Sequence, residues 1–219
     1  MRAIDSRHTG TRGHRAGPSF ELEAAEIALG RGPVAGIDEA GRGPWAGPVV
    51  AAAVILNPDE IPLGLDDSKA LDEAARDAAY ARIVRSVRYG IGIADVARID
   101  RDNILQATLY AMGEAVSALA VVPGLAIVDG NRVPMLACPA RAIVRGDARC
   151  LSIAAASIVA KVTRDRIMVA LGKEFPGYGF ERHKGYGVPE HKAALARLGV
   201  TPHHRRSFKP VQLALGFDL

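Results

Sequence analysis

The segment Val34–Leu56, VAGIDEAGRGPWAGPVVAAAVIL, constrains the fold more than any other stretch of this chain. An apolar run, Val34-Ala35-Gly36-Ile37, stops at Asp38-Glu39, passes a glycine-rich turn and resumes as Val49–Leu56, whose β-branched residues favour extended backbone. Two strands joined by a loop are predicted. Tyr89–Val96 alternates as a third strand would, Leu125–Val128 gives a fourth and Ala140–Val144 a fifth. Helical periodicity runs over Phe20–Leu29, Leu71–Val87, Asp100–Leu119 and Ser152–Leu171, with Gly30-Arg31-Gly32-Pro33 and Pro123-Gly124 as stops. This order predicts an α/β layer with a mixed sheet, because hairpin-linked strands precede the helical crossovers. From Lys173 onward the chain reads as basic and loop-rich.

A length of 219 residues accommodates one well-buried core plus an appendage. The chain divides into a disordered basic tail over residues 1–19 and one domain over 20–219. Hydrophobic residues at 49% and charged residues at 24% exclude collagen-like, disordered and disulfide-scaffold classes. The longest uncharged stretch begins at Gly43, is broken by Pro44, Gly47, Pro48 and Pro58, and is too short for a bilayer span, so no membrane association is expected. Cys138 and Cys150 form no CxxC pair, which suits two buried thiols in a reducing cytoplasm. The tail carries Arg2, Arg7, Arg12 and Arg15 without an apolar core segment, which excludes a secretory signal. A net charge of +4 leans toward a polyanionic partner.

Asp38-Glu39 and Asp129 share one context, an apolar run that stops at an acid and turns through glycine. Acids at strand ends can converge on a site, because loops diverge there. Like charges at about 4 Å repel by roughly 4 kcal/mol at an effective dielectric near 20, so such a cluster calls for hard divalent cations. No His or Cys set at zinc spacing competes: His8 and His14 lie in the tail, and His183, His191, His203 and His204 lie in the C-terminal region.

The Val34–Leu56 block, with its Asp-Glu pair and Gly-Arg-Gly turn, closely resembles ribonuclease HII. Further segments agree in order: Asp67-Ser68-Lys69, Ile99–Met112, Val128–Asn131, Gly146-Asp147, Ser152–Arg166, His183–Gly187 and His204–Val211. The resemblance implies a ribonuclease H-like fold, a mixed five-stranded sheet flanked by helices with a helical C-terminal extension that binds substrate. It implies a catalytic and metal-binding set at Asp38, Glu39, Asp129 and Asp147, holding two divalent ions, Mg²⁺ or Mn²⁺, that bridge the scissile phosphate. Asp165 rivals Asp147 in sequence, but it sits within a helix between Arg164 and Arg166, where an ion pair is expected.

The implied activity is endonucleolytic hydrolysis of the RNA strand of RNA–DNA hybrids and incision 5′ to single ribonucleotides in duplex DNA, leaving 3′-hydroxyl and 5′-phosphate ends. Sensing a 2′-hydroxyl is then assigned to Gly41, Arg42 and Gly43, where glycines admit close backbone approach, and to Tyr186, which resembles the family's stacking tyrosine. Val188 stands where threonine is common in the family. Lys69, Lys184, Arg205, Arg206 and Lys209 are expected at backbone phosphates. A monomer is expected. The last residues, Gln212–Leu219, faintly resemble a sliding-clamp-binding tail but lack its paired aromatic, so a C-terminal element packed on the core is predicted instead. The competing readings are a same-fold two-metal DNA nuclease and a non-catalytic duplex-binding module.

Overall fold

The computed structural model describes residues 17–216, so the expected tail over residues 1–19 lies almost wholly outside the described residues. Five strands, β1 (Val34–Ala40), β2 (Val49–Ile55), β3 (Arg88–Ala94), β4 (Leu125–Asp129) and β5 (Ala140–Ile143), form one sheet in the order β3-β2-β1-β4-β5. β1 pairs antiparallel with β2, and β2 with β3, whereas β1–β4 and β4–β5 are parallel. The sheet is mixed, as the order of hairpins and crossovers predicts.

Both faces are covered. Val49, Ala51, Ala53 and Ile55 of β2 meet Ala107, Ala111 and Ala115 of α3 (Val96–Ser117). The alternate residues Ala52 and Val54 meet α4 (Leu151–Glu174) and α2 (Glu73–Ser86). A strand buried on both sides has no polar face to show, hence the unbroken apolar run VVAAAVI. Small residues bring the helices close to the sheet. A Cβ at Gly36 would run into the backbone of Ser152 and Ile153 in the first turn of α4.

That first turn has no side-chain cap of its own. Glu23, fully buried on α1 (Glu21–Ala28), caps it from outside: its Oε1 accepts from the Ser152 backbone N at 2.8 Å and from Ser152 Oγ at 2.6 Å. A carboxylate at a helix N-terminus satisfies open amides and complements the dipole.

The start of α3 differs from the predicted helix at Asp100. β3 stops at Ala94, two residues short of the predicted end, and Asp95 caps the helix that starts at Val96 by accepting from Arg98 N at 2.8 Å. Asn103 then breaks it at φ 70°, its Oδ1 accepting from Leu105 N at 3.0 Å and Gln106 N at 3.1 Å to start the second segment. Asparagine tolerates this backbone and supplies its own cap, so local side-chain bonding overrides the helical periodicity.

The C-terminal region, which reads as loop-rich, holds α5 (Phe180–His183), α6 (Pro189–Leu198) and α7 (Lys209–Ala214). It is attached to α4 through Met168, Leu171, Tyr178, Phe180 and Ala194. Gln212 lies in α7, beside the buried Val211, while residues 217–219 lie outside the described residues. Cys150 is buried, but Cys138 is only half-buried. Among the described residues no helix is long and apolar enough to cross a membrane.

Candidate active site

Ile37 of β1 pairs with Val128 of β4, so the next residue on each parallel strand, Asp38 and Asp129, falls at the same edge of the sheet. Beyond β5 a 3-10 turn, Gly146–Ala148, returns the chain to that edge and presents Asp147. The turn is fixed to the strand by Gly146 N, which donates to Asp129 Oδ1 at 2.7 Å. Carboxylate oxygens of Asp38, Asp129 and Asp147 thereby lie within 4.8 Å of one another. Glu39 is not a member of this set. It stands in the same cleft with its Oε1 3.4 Å from Arg42 Nη1.

The electrostatics follow from that crowding. Burial, then the charges of Glu39, Asp129 and Asp147, push the Asp38 carboxyl well above the usual carboxylate range, against a hydrogen bond from Glu39 N. Burial and Asp147 raise Asp129, opposed by backbone N–H groups of Gly146, Asp147 and Gly130. Burial raises Glu39, moderated by Arg42. Three hard oxygen donors in mutual repulsion, with no His or Cys among them, fit a divalent cation of the Mg²⁺ or Mn²⁺ kind.

One cation of the chain already leans on the set. Lys69 Nζ lies 3.3 Å from Asp147 Oδ2, and although burial works against its charge, Asp67, Asp147 and Asp38 raise its ammonium. Asp165, the rival of Asp147, is 2.7 Å from Lys161 Nζ on the same helix and takes no part in the cluster. Lys161 itself lines the cleft, with Gly41, Arg42, Gly43, Lys69 and Tyr186. Its basic side chain four residues before Asp165 was the available signal.

Tyr186 is 46% exposed, and a Cβ at Gly43 would touch its ring at 3.6 Å, so the glycine turn and the tyrosine face each other. The Lys184 ammonium donates to the Glu181 carbonyl. Arg205 is a correction. It is fully buried rather than at the surface where a phosphate contact would need it; its guanidinium donates to the carbonyls of Gly41, Arg42, Gly47 and Pro48 at 2.5, 2.8, 2.8 and 3.3 Å. Arg164, also buried, donates to Ala46, Pro48 and Lys184 carbonyls at 3.1, 3.0 and 3.0 Å. Burial pulls both guanidinium groups below their ordinary range, and Arg164 adds to the effect at Arg205, yet both stay charged at neutral pH. Arg206 is exposed, and its backbone N is held by Asp100 at 3.0 Å; Lys209 is exposed at the start of α7.

A mixed sheet with acids gathered where parallel strands end, inside a cleft edged by lysines and a tyrosine, defines a metal-dependent phosphodiester hydrolase of the ribonuclease H-like class. Residues 35–211 match the family model described as Ribonuclease HII. A ribonuclease HII of Azorhizobium caulinodans is 58% identical over 197 residues, covering 90% of this chain and 76% of the relative. The crystal structure of the ribonuclease H2 from Pyrococcus horikoshii OT3 superposes with a TM-score of 0.72 at 26% identity, over 83% of this chain and 96% of that one. The ribonuclease HII in the structure of the PCNA complex from Archaeoglobus fulgidus gives 0.69 at 26% identity, over 80% and 95%. The chain belongs to the ribonuclease HII family.

Proposed function

We propose that this protein hydrolyses the RNA strand of RNA–DNA hybrids and cuts duplex DNA on the 5′ side of a single embedded ribonucleotide, leaving 3′-hydroxyl and 5′-phosphate ends. The observation that carries this reading is the convergence of Asp38, Asp129 and Asp147 within 4.8 Å, with Asp38 and Asp129 lining a cleft shared with Gly43 and Tyr186. Those three acids, with Glu39 beside them, are the residues to hold two divalent ions, Mg²⁺ or Mn²⁺. Bound there, the ions supply Lewis-acid stabilisation to phosphoryl transfer.

The chain's own residues do the rest. The acids serve as ligands rather than proton carriers. Gly41 and Gly43 leave the backbone open to a sugar, Arg42 anchors an adjoining phosphate, and the Tyr186 ring stacks across the turn so that its hydroxyl reaches the 2′-hydroxyl. Lys69 and Lys161 provide further positive charge for the nucleic-acid backbone. The complex of the Archaeoglobus fulgidus relative with PCNA supports a sliding-clamp contact for the C-terminal tail, in which Leu213 is 55% exposed.

The test is a DNA duplex with one ribonucleotide, incubated with Mg²⁺, Mn²⁺ or chelator, and the ends mapped. One metal-dependent cut on the 5′ side, with a 3′-hydroxyl and 5′-phosphate, is expected. Equal cutting of an all-DNA control, or a 2′,3′-cyclic phosphate end, overturns the reading.

A further inference from the structure

A proposed sugar-reading residue must combine an accessible side chain with an immobile backbone, and Tyr186 has both. Between Lys184 and Tyr186 every peptide group is bonded. Lys184 N donates to Phe180 O at 3.0 Å and its carbonyl accepts from Arg164 at 3.0 Å. Gly185 N donates to His183 Nδ1 at 3.1 Å and Gly185 O accepts from Trp45 N at 2.8 Å. Tyr186 N donates to His183 O at 2.9 Å, and its carbonyl accepts from Val188 N and from the His191 ring Nδ1, both at 2.9 Å.

The last of these bonds opens a chain through the buried interior. His191 Nε2 lies 3.1 Å from His204 Nε2, and Thr201 N donates to His204 Nδ1 at 2.9 Å. The two ends dictate the protons. A backbone N–H only donates, so His204 Nδ1 is unprotonated and its Nε2 carries the hydrogen. A carbonyl only accepts, so His191 carries its hydrogen on Nδ1 and its Nε2 receives the bond from His204. One arrangement satisfies both ends, and it leaves no position for a third proton: protonating either ring sets two N–H groups against each other. His183 follows the same rule, accepting at Nδ1 and donating from Nε2 to the Tyr178 carbonyl at 2.8 Å, with its ring stacked on His191 at 4.6 Å.

We propose that His191, backed by His204, is a positioning residue for substrate discrimination: a relay of two neutral imidazoles runs from Thr201 to the Tyr186 carbonyl and holds the tyrosine at the angle at which it faces Gly43. The relay rests on the reading of Tyr186 as the residue that senses the ribonucleotide. It does not touch substrate and lies outside the carboxylate set.

The test uses a pair of variants of nearly one shape. In His191→Asn the amide nitrogen falls close to the position of Nδ1 and keeps the bond to Tyr186, whereas His191→Leu lacks it; both leave His204 Nε2 without its partner, so the two share any general cost to the fold. On the single-ribonucleotide duplex, kcat/KM of His191→Asn is expected to stay within about threefold of the starting protein, while His191→Leu falls roughly tenfold, the equivalent of one hydrogen bond. In a Tyr186→Ala background the Asn and Leu variants should cleave alike, because the interaction they differ in has lost its object. Nitrogen NMR of the metal-free protein should show His191 as the Nδ1–H and His204 as the Nε2–H tautomer. Equal rates for the Asn and Leu variants, a Leu-specific loss that persists without Tyr186, or the opposite tautomers overturn the relay. Tyr186→Ala cleaving like the starting protein sinks the tyrosine reading itself, a result separate from failure of the relay when Tyr186→Ala is impaired.

Discussion

Asp38 carries opposite consequences for stability and for chemistry. Its carboxyl is raised by burial and by Glu39, Asp129 and Asp147, so the folded protein binds its proton more tightly than the unfolded chain does. Its own contribution to stability is therefore fully present below the ordinary carboxylate range and is lost as pH rises through the folded value. At neutral pH the metal-free protein carries that cost, which a divalent cation relieves. Asp38→Asn should melt higher than the unchanged protein in chelator, by about 2–4 °C for each kcal/mol relieved, and should gain less on adding Mn²⁺. The same variant should lose cleavage by a factor on the order of 10² or more, as expected when a metal ligand is removed. Scanning calorimetry beside an end-labelled cleavage assay checks both, and a destabilised metal-free Asp38→Asn would contradict the electrostatic argument. The strand-then-acid-then-glycine pattern made Asp38 and Asp129 legible in the sequence, and the family resemblance pointed to Asp147. Glu39 shows the limit: its place beside Asp38 in sequence does not reveal that it bonds Arg42 and stands outside the tight triple.

At the scale of elements, the loop from Gly41 to Pro48 is shaped by two buried cations. Arg205 and Arg164 find carbonyl partners in place of a carboxylate, and lysine cannot replace the fork that reaches Gly41, Arg42, Gly47 and Pro48 together. Arg205→Lys should cost on the order of 3 kcal/mol in urea unfolding, the scale of breaking a buried charged network. A change below about 0.5 kcal/mol, the range of ordinary surface substitutions, would show the fork to be dispensable. The histidine pair predicts an acid limit. Burial, then the surrounding histidines, lowers His204 from 6.5 to about 4, and burial lowers His191. The titratable and polar groups around the pair are His183 and Tyr178 near α5, Glu190 on α6 and His203 in the following turn. Both imidazoles are neutral in either state at neutral pH; below 6.5 the unfolded chain takes up protons that the fold refuses, so stability falls until about pH 4. Urea midpoints across that range should drop in the starting protein and drop less in a His204→Phe variant. Neither feature was legible from sequence. A buried arginine reads like a surface one, and the histidines meet only after α5 and α6 fold against α4. The break at Asn103 was hidden for another reason, since the residues on both sides keep helical spacing.

For the whole molecule, the mixed sheet and its helical layers were readable because β2 has no polar face and the crossovers are long periodic helices, whereas the direction of Lys184 depends on a left-handed backbone. The net charge of +4 is modest, so affinity for a duplex must come from where the charge lies. With Lys69, Lys161 and Arg42 in the cleft, the logarithm of affinity should fall linearly with the logarithm of salt concentration, and Lys161→Ala should reduce the slope by about one phosphate contact. A slope unchanged in that variant would remove Lys161 from the interface.

The measurement closest to the centre of the account is a calorimetric titration of the metal-free protein with Mn²⁺, repeated on Asp38→Asn, Asp129→Asn and Asp147→Asn variants whose circular dichroism is unchanged. The convergence of those three carboxylates predicts saturable binding that each substitution weakens at least tenfold. Full-strength binding by all three folded variants would place the metal elsewhere and contradict the site.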